Sequence, residues 1–441
     1  MVGSAGRHVN CLNFGGMAFS LRTKASMVSS AEAVGAFWLR RSYQELSAMP
    51  DEMQVNIGYI PLTDCAALVV AQEFGIFARH GLRVHLKRET SWANLRDGIV
   101  LGELDAAHML APMPLAITLG IAAPRQPVIT AVGLALNGNA ITLALPLHER
   151  LRAMAPDLPG AQLARTLKVL LGEDRRAPMT FAVVSTVSNH YYQLRHWLRA
   201  GGVDPDRDVQ LVVVPPPRMV EALQSGKIAG YCVGEPWNSL ASEKGVGMPI
   251  VGSSELWSNV LEKVLGVREA WARQHPETHL ALIRSIVEAS RILDSAGGRR
   301  EAGPLVAAHI GVDPAVVGLS LLGQVPGLAG PAPDFHVFHR YAANFPWRSH
   351  ALWFLHQMRL AGQCAMDPDA RATAWQVYRP DIYREAMAAQ GESIPFLDTQ
   401  VMGTHAAPWT LPAVPDALQM GPDLFFDGQI FDPGRNGRAP E

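Results

Sequence analysis

Five residues are candidates for contact with a ligand. Trp92 follows Ser91 where a helix opens, and the backbone N–H groups of Ala93 and Asn94 fall in the same first turn. Asn139 closes an Asn-Gly-Asn segment, His190 stands in SNHYYQLRHWL at another helix start, and Lys263 lies in ELWSNVLEKVLGVR. Indole, amide, imidazole and backbone N–H groups donate hydrogen bonds, and Lys263 adds a positive charge. The set suits binding rather than catalysis. Each residue also has an ordinary structural reading: Trp92 as a core or hinge aromatic, Asn139 as a turn residue, His190 as a neighbour of a helix cap, Lys263 as a solvated cation. Glu235 to Asn238 read as hinge and cleft wall, and Arg96 with Asp97 as an ion pair.

Catalytic signatures are missing. There is no GxxxxGK[ST] phosphate loop, hence no fused transporter ATPase is expected, and no GxSxG or HExxH. The glycines around Gly133 to Gly138 do not form a dinucleotide fingerprint. The 15 histidines lack metal-ligand spacing, and the four cysteines, Cys11, Cys65, Cys232 and Cys364, are scattered without a CxxC pair. No metal and no cofactor are expected. The formal net charge of −2 over 441 residues gives no basic patch for direct nucleic-acid binding.

The elements that must position these residues follow from periodicity. Val55 to Ile60 is a short apolar run read as a strand. Pro61 stops it, and Thr63 or Asp64 is expected to cap a helix from Ala66 to Phe77. Leu82 to Arg88 alternates like a half-buried strand, Trp92 opens a helix that ends at Gly102, and Asp105 begins a third strand to Leu110. This βαβαβ unit belongs to an open α/β sheet, whose ligands lie at the carboxyl ends of strands. Strands follow at Val128 to Leu136 and Ala140 to Leu147. Thr180 to Val184, Asn189 to Ala200, Val209 to Val214, Pro217 to Ser225 and Ile228 to Val233 repeat the strand–helix pattern. The expected architecture is a two-lobed α/β protein with a ligand cleft between lobes. Residues 53–148 and 252–390 form lobe I and its helical region, 149–251 lobe II, and 391–441 a C-terminal wrapping tail.

Residues 1–52 read as a disordered extension, with residues 1–48 dispensable or absent from the native protein. The best apolar stretch there, Ala31 to Leu39, is interrupted by Glu32 and Gly35, and the residues after Arg40-Arg41 are polar. A secretory signal needs a continuous apolar core of about 7–15 residues. No run is long enough to span a membrane. A cytoplasmic protein is expected.

The stretches GYIPLTDCAALVVAQEFGIF, SWANLRDGIVLGELDAAHMLAPMPLA, VVVPPPRMVEALQSGKIAGYCVGEPWN, ANFPWRSHALWFL, YRPDIYREA and FFDG add a resemblance. The chain resembles the substrate-binding proteins of nitrate and bicarbonate ABC transporters and their cytoplasmic relative, the NasS-type nitrate/nitrite sensor. The resemblance implies a type II periplasmic-binding-protein fold with nitrate or nitrite as ligand and Trp92, Asn94, Asn139, His190 and Lys263 as its site. Asn139 stands where the family has a glutamine, a shorter donor. Lys263 matches the family's nitrate-binding lysine, whereas the bicarbonate branch has an acidic residue and calcium there. The sensor branch implies a partner, an ANTAR-domain antiterminator released when ligand binds. The other reading is the binding component of a nitrate ABC transporter; an enzyme on the same fold would need a reactive cluster that this sequence lacks.

Overall fold

The computed structural model describes residues 54–173, 178–330, 332–365 and 368–435. The proposed extension, residues 1–52, lies outside the described residues.

Strands β1 (Gln54–Tyr59), β2 (Arg83–Arg88), β3 (Ala106–Leu110), β4 (Val128–Asn137), β10 (Leu261–Arg268) and β11 (His336–Val337) form one sheet in the order β11-β4-β10-β3-β1-β2. β1 runs parallel to β2 and β3, while β10 is antiparallel to β3 and β4. Every residue of β3 and β4 is buried, as strands covered on both faces require. The second sheet, β7-β6-β8-β5-β9, is built from β5 (Asn139–Ala144), β6 (Met179–Val183), β7 (Val209–Val213), β8 (Gly230–Gly234) and β9 (Gly247–Gly252).

The two sheets are the two expected lobes, with one boundary moved. β5 pairs with β8 and β9, so the second lobe starts at Asn139 rather than at residue 149. Asn137 and Gly138, both with positive φ, turn the chain from one sheet to the other, and Asn139 opens β5 instead of lying in a turn. The strand expected to reach Leu147 ends at Ala144, because Pro146 near the N-terminus of the helix Leu145–Met154 favours helix there.

Local punctuation explains the remaining differences. The helix expected to run to Phe77 is split into Ala66–Glu73 and Ile76–Arg79 by Gly75 at φ 66°. The amphipathic run from Ala270 to Leu293, whose period suits one long helix, breaks at His275, and Pro276 starts Pro276–Leu293. The helix Trp92–Leu101 begins and ends as its sequence suggests: Ser91 Oγ accepts from Asn94 N, and Gly102 closes it at φ 84°.

The chain beyond residue 360 touches both lobes, and of the contacts that follow only Asp427 belongs to residues 391–441. Tyr378 Oη donates to Ala111 O of the first lobe at 2.7 Å. On the second lobe, Gln363 Nε2 donates to Thr186 O at 2.7 Å, Tyr192 Oη donates to Gln363 Oε1 at 2.9 Å, and Asp427 Oδ2 lies 2.5 Å from His196 Nε2.

Candidate functional site

The centre of the molecule holds a buried ion cluster. Lys263 projects from β10 and is fully buried, with Nζ 2.7 Å from Asp64 Oδ2 and 2.7 Å from Glu262 Oε1. Asp64 lies in the single turn after β1, and its other oxygen stands 3.0 Å from His108 Nε2 of β3. Neither Thr63 nor Asp64 caps the following helix. That correction has a physical reason: Asp64 is drawn to the ammonium, which satisfies a buried carboxylate better than a backbone N–H does.

A strand irregularity builds this cluster. Successive side chains of a regular strand point to opposite faces. The β10–β4 ladder shifts register between Leu261 and Lys263 and again between Lys263 and Val264. Such a bulge re-aims side chains, and here the neighbours Glu262 and Lys263 meet at one point.

The second lobe closes over the cluster. Asn189, the first residue of the helix Asn189–Ala200, donates from Nδ2 to Glu262 Oε2 and to Leu261 O, both at 2.7 Å. His190 follows, with Nε2 3.6 Å from Glu262 Oε1, too long for a hydrogen bond. Asn139 donates its backbone N–H to Ser253 Oγ at 3.1 Å, and its side chain meets Gln193 Oε1 at 3.5 Å. Gly234 ends β8 beneath it; a methyl on Gly234 would meet Asn139 Oδ1 at 3.4 Å and Asp64 Oδ2 at 3.5 Å. That open floor brings Asn139 to the ion cluster. The lobes also join through Thr63 N donating to Glu235 O at 2.8 Å.

Trp92 covers the first-lobe side. Its ring lies 5.6 Å from Lys263 Nζ and 5.9 Å from the His108 ring. Between Trp92, Arg96 and Met113 on one lobe and Val184, Thr186 and Val187 on the other is a cavity of about 180 Å³. A wider cleft of about 650 Å³ runs alongside, from Pro61, Arg88 and Ser91 across to Pro215 and Arg218.

Several buried polar atoms here have no hydrogen-bond partner among the described residues: Trp92 Nε1, both ring nitrogens of His190 and Asn139 Oδ1. Rotating the Asn139 amide exchanges that oxygen for the NH2 donor, and requires the Gln193 amide, which now accepts from Asn139 Nδ2, to rotate with it. Buried polar groups are ordinarily satisfied. Here orphans from two lobes gather around one ammonium. Four of the five residues singled out in the sequence, Trp92, Asn139, His190 and Lys263, meet around it. Asn94 does not. Its side chain is exposed and bonds Thr90 Oγ1 at 3.1 Å, and its backbone N–H is taken by Ser91 Oγ at 3.1 Å. The N-cap that makes the helix uses up the donor expected to serve the ligand. Arg96 and Asp97 form the expected ion pair at 2.8 Å.

Protonation follows burial and the single ammonium. Burial opposes the charge of Asp64, yet Lys263 and His108 outweigh it and hold its carboxyl well below the usual carboxylate range. Burial would lower Lys263, but Asp64 and Glu262 keep it above its ordinary value. Burial pushes Glu262 up, against the pull of Lys263. His190 is driven well down by burial and then by Lys263, and His108 is lowered by burial. Both imidazoles are thus neutral, each with one N–H to give.

The residues missed in the sequence are Asp64, Glu262, His108 and Asn189. Asp64 carried a cap signal, His108 sits in an all-buried strand, and Glu262 carried no sequence signal of its own. Among the described residues, no group of three His, Cys, Asp or Glu side chains is arranged to hold a metal ion.

Residues 48–307 match the model of the NMT1-like family. This chain belongs to the NMT1-like family. The NMT1-like chain is 38% identical over 349 residues to the nitrate import ATP-binding protein NrtC of Synechocystis sp. (strain ATCC 27184 / PCC 6803 / Kazusa), covering 76% of itself and 50% of that protein. It is 35% identical over 396 residues to the bicarbonate transport ATP-binding protein CmpC of the same strain, covering 87% of itself and 54% of CmpC. The chain spans about half the length of these curated relatives. The crystal structure of the periplasmic nitrate-binding protein NrtA from Synechocystis PCC 6803 is similar at a TM-score of 0.77 and 27% sequence identity, over 88% of this chain and 97% of NrtA. The fold is the α/β periplasmic-binding-protein type II fold, and the chain is similar in sequence and structure to substrate-binding proteins of that fold.

Proposed function

We propose that this chain binds nitrate or nitrite between its lobes, with Trp92, Asn139, His190 and Lys263 as donors. The observation that carries the reading is the set of unpartnered buried polar atoms on both lobes around the Lys263 ammonium. A planar monoanion with acceptor oxygens needs several donors and one compensating charge in a shielded place. Lys263 favours nitrate over bicarbonate held with a metal. Calorimetry tests this: sodium nitrate should bind once per chain, Lys263→Glu should abolish binding, and bicarbonate with calcium should not compete. Unchanged nitrate affinity in Lys263→Glu would sink the site assignment.

The finer proposal is a cytoplasmic sensor. Ligand closure would change the surface spanning the hinge and release an ANTAR-domain antiterminator, and linkage requires that partner to weaken nitrate binding by the same factor. Support for this comes from the sequence resemblance to the nitrate/nitrite sensor. The second reading, a transport binding protein, is favoured by the similarity to NrtC, a nitrate import protein, and to NrtA, a periplasmic nitrate-binding protein. Fractionation of native cells, with pull-down in the presence and absence of nitrate, separates them: a periplasmic protein, or a partner held equally with ligand, leaves the transport reading standing.

A further inference from the structure

We propose that Glu262 takes up one proton as the anion enters, so that the site binds a proton-free oxyanion such as nitrate together with a proton. The inference rests on the nitrate reading above. Its basis is the count of charges at the cluster. One ammonium, Lys263, faces two carboxylates at 2.7 Å each. With both ionised, the buried cluster is already one charge negative before a ligand arrives.

Among the described residues, no other group facing Glu262 offsets that excess. On its own strand the neighbour is Lys263. From the Asn189–Ala200 helix come the neutral Asn189 amide at 2.7 Å and His190 at 3.6 Å. From the turn after β1 comes Asp64, itself negative. From β3, His108 is committed to Asp64. From β8, the Cys232 thiol is pushed up by burial and then by Glu262, so it stays neutral. His336 of β11 is pushed down to about 3 by burial and adds no charge.

The two carboxylates are not equivalent. Asp64 has both Lys263 and His108, and keeps its charge. Glu262 shares the same ammonium and otherwise accepts from a neutral amide, and burial favours its protonated form. Like charges brought together in a shielded site favour protonation of the weaker acid. The proton comes from solvent, and no covalent bond to the ligand forms or breaks. A protonated Glu262 keeps the anion-bound cluster at the one negative charge it carried before, instead of two, and adds an O–H donor for an anion that has only acceptors. Bicarbonate carries its own O–H and can pair with ionised Glu262 without proton uptake. Glu262 thus becomes a residue that selects among planar anions by whether they bring a proton.

The test is calorimetry of sodium nitrate on the full chain in HEPES and in Tris, whose ionisation heats differ, between about pH 6 and 9. Wild type should take up about one proton per nitrate, with affinity falling about tenfold per pH unit as Glu262 titrates. Glu262→Gln should bind nitrate with an affinity that no longer varies with pH and a heat that no longer depends on buffer. Nitrate binding by wild type with identical heats in both buffers overturns the inference while leaving the nitrate reading intact. Proton uptake that persists in Glu262→Gln overturns the assignment to Glu262. No nitrate binding at any pH removes both readings. If Glu262→Gln does not fold, the wild-type buffer comparison decides alone.

Discussion

Asp64 and Lys263 form an ion pair of 2.7 Å in which neither side chain is more than 1% exposed. Taking both charges out of water is costly, but removing only one is worse, because the survivor is left buried without a counter-ion. Lys263→Met is therefore expected to destabilise the chain by about 3–5 kcal/mol in urea unfolding. Adding Asp64→Asn should recover much of that loss, while nitrate binding stays absent in both variants. A single variant as stable as wild type would show that the pair is solvated in solution.

Trp92→Phe and Asn139→Ala each remove one donor. A hydrogen bond to a charged group contributes about 1.5–3 kcal/mol, so each variant should bind nitrate about 10- to 100-fold more weakly. Trp92 Nε1 has no protein partner, so Phe leaves no polar atom stranded and the melting temperature should scarcely move. Equal affinity in both variants would place the anion elsewhere.

Glu235 gives the chain a pH dependence separate from the anion site. Burial pushes its carboxyl up to about 7, with a backbone bond from Ser239 opposing. The folded state therefore holds this proton after the unfolded chain has lost it. Stability is full below the ordinary carboxylate value and declines as pH rises through the folded one, by roughly 3 kcal/mol in total. Denaturation midpoints measured from about pH 5 to pH 8 should fall in wild type, and that component of the fall should vanish in Glu235→Gln.

Asn94→Ala should leave nitrate affinity within about twofold of wild type, since the anion gains no donor from it, whereas Ser91→Ala should cost about 1 kcal/mol as a lost helix cap. A large affinity loss in Asn94→Ala would restore this residue to the site.

The two-lobed fold was legible because buried strands and amphipathic helices write their periods directly into the chain. The helix start at Asn189 and the Ser91–Gly102 punctuation came through intact. The lobe boundary did not, since the sheet that β5 joins is decided by partners about a hundred residues away. Trp92, Asn139, His190 and Lys263 were singled out through the family resemblance, since each alone has an ordinary structural reading. Glu262 was hidden by a register shift that no local pattern announces, and Asp64 by a competing local role that tertiary charge overrides.

The C-terminal wrap gives the molecule a third tether. Two lobes joined only by the crossings at Asn137–Asn139 and after Gly252 could swing as freely as a door. Here a strap anchored at Tyr378 on one lobe is buttoned to the other at His196–Asp427 and at Gln363. Wide opening must either pivot about those buttons or undo them. Anything that grips the strap on the outer surface thereby gains leverage over the jaws without reaching the anion.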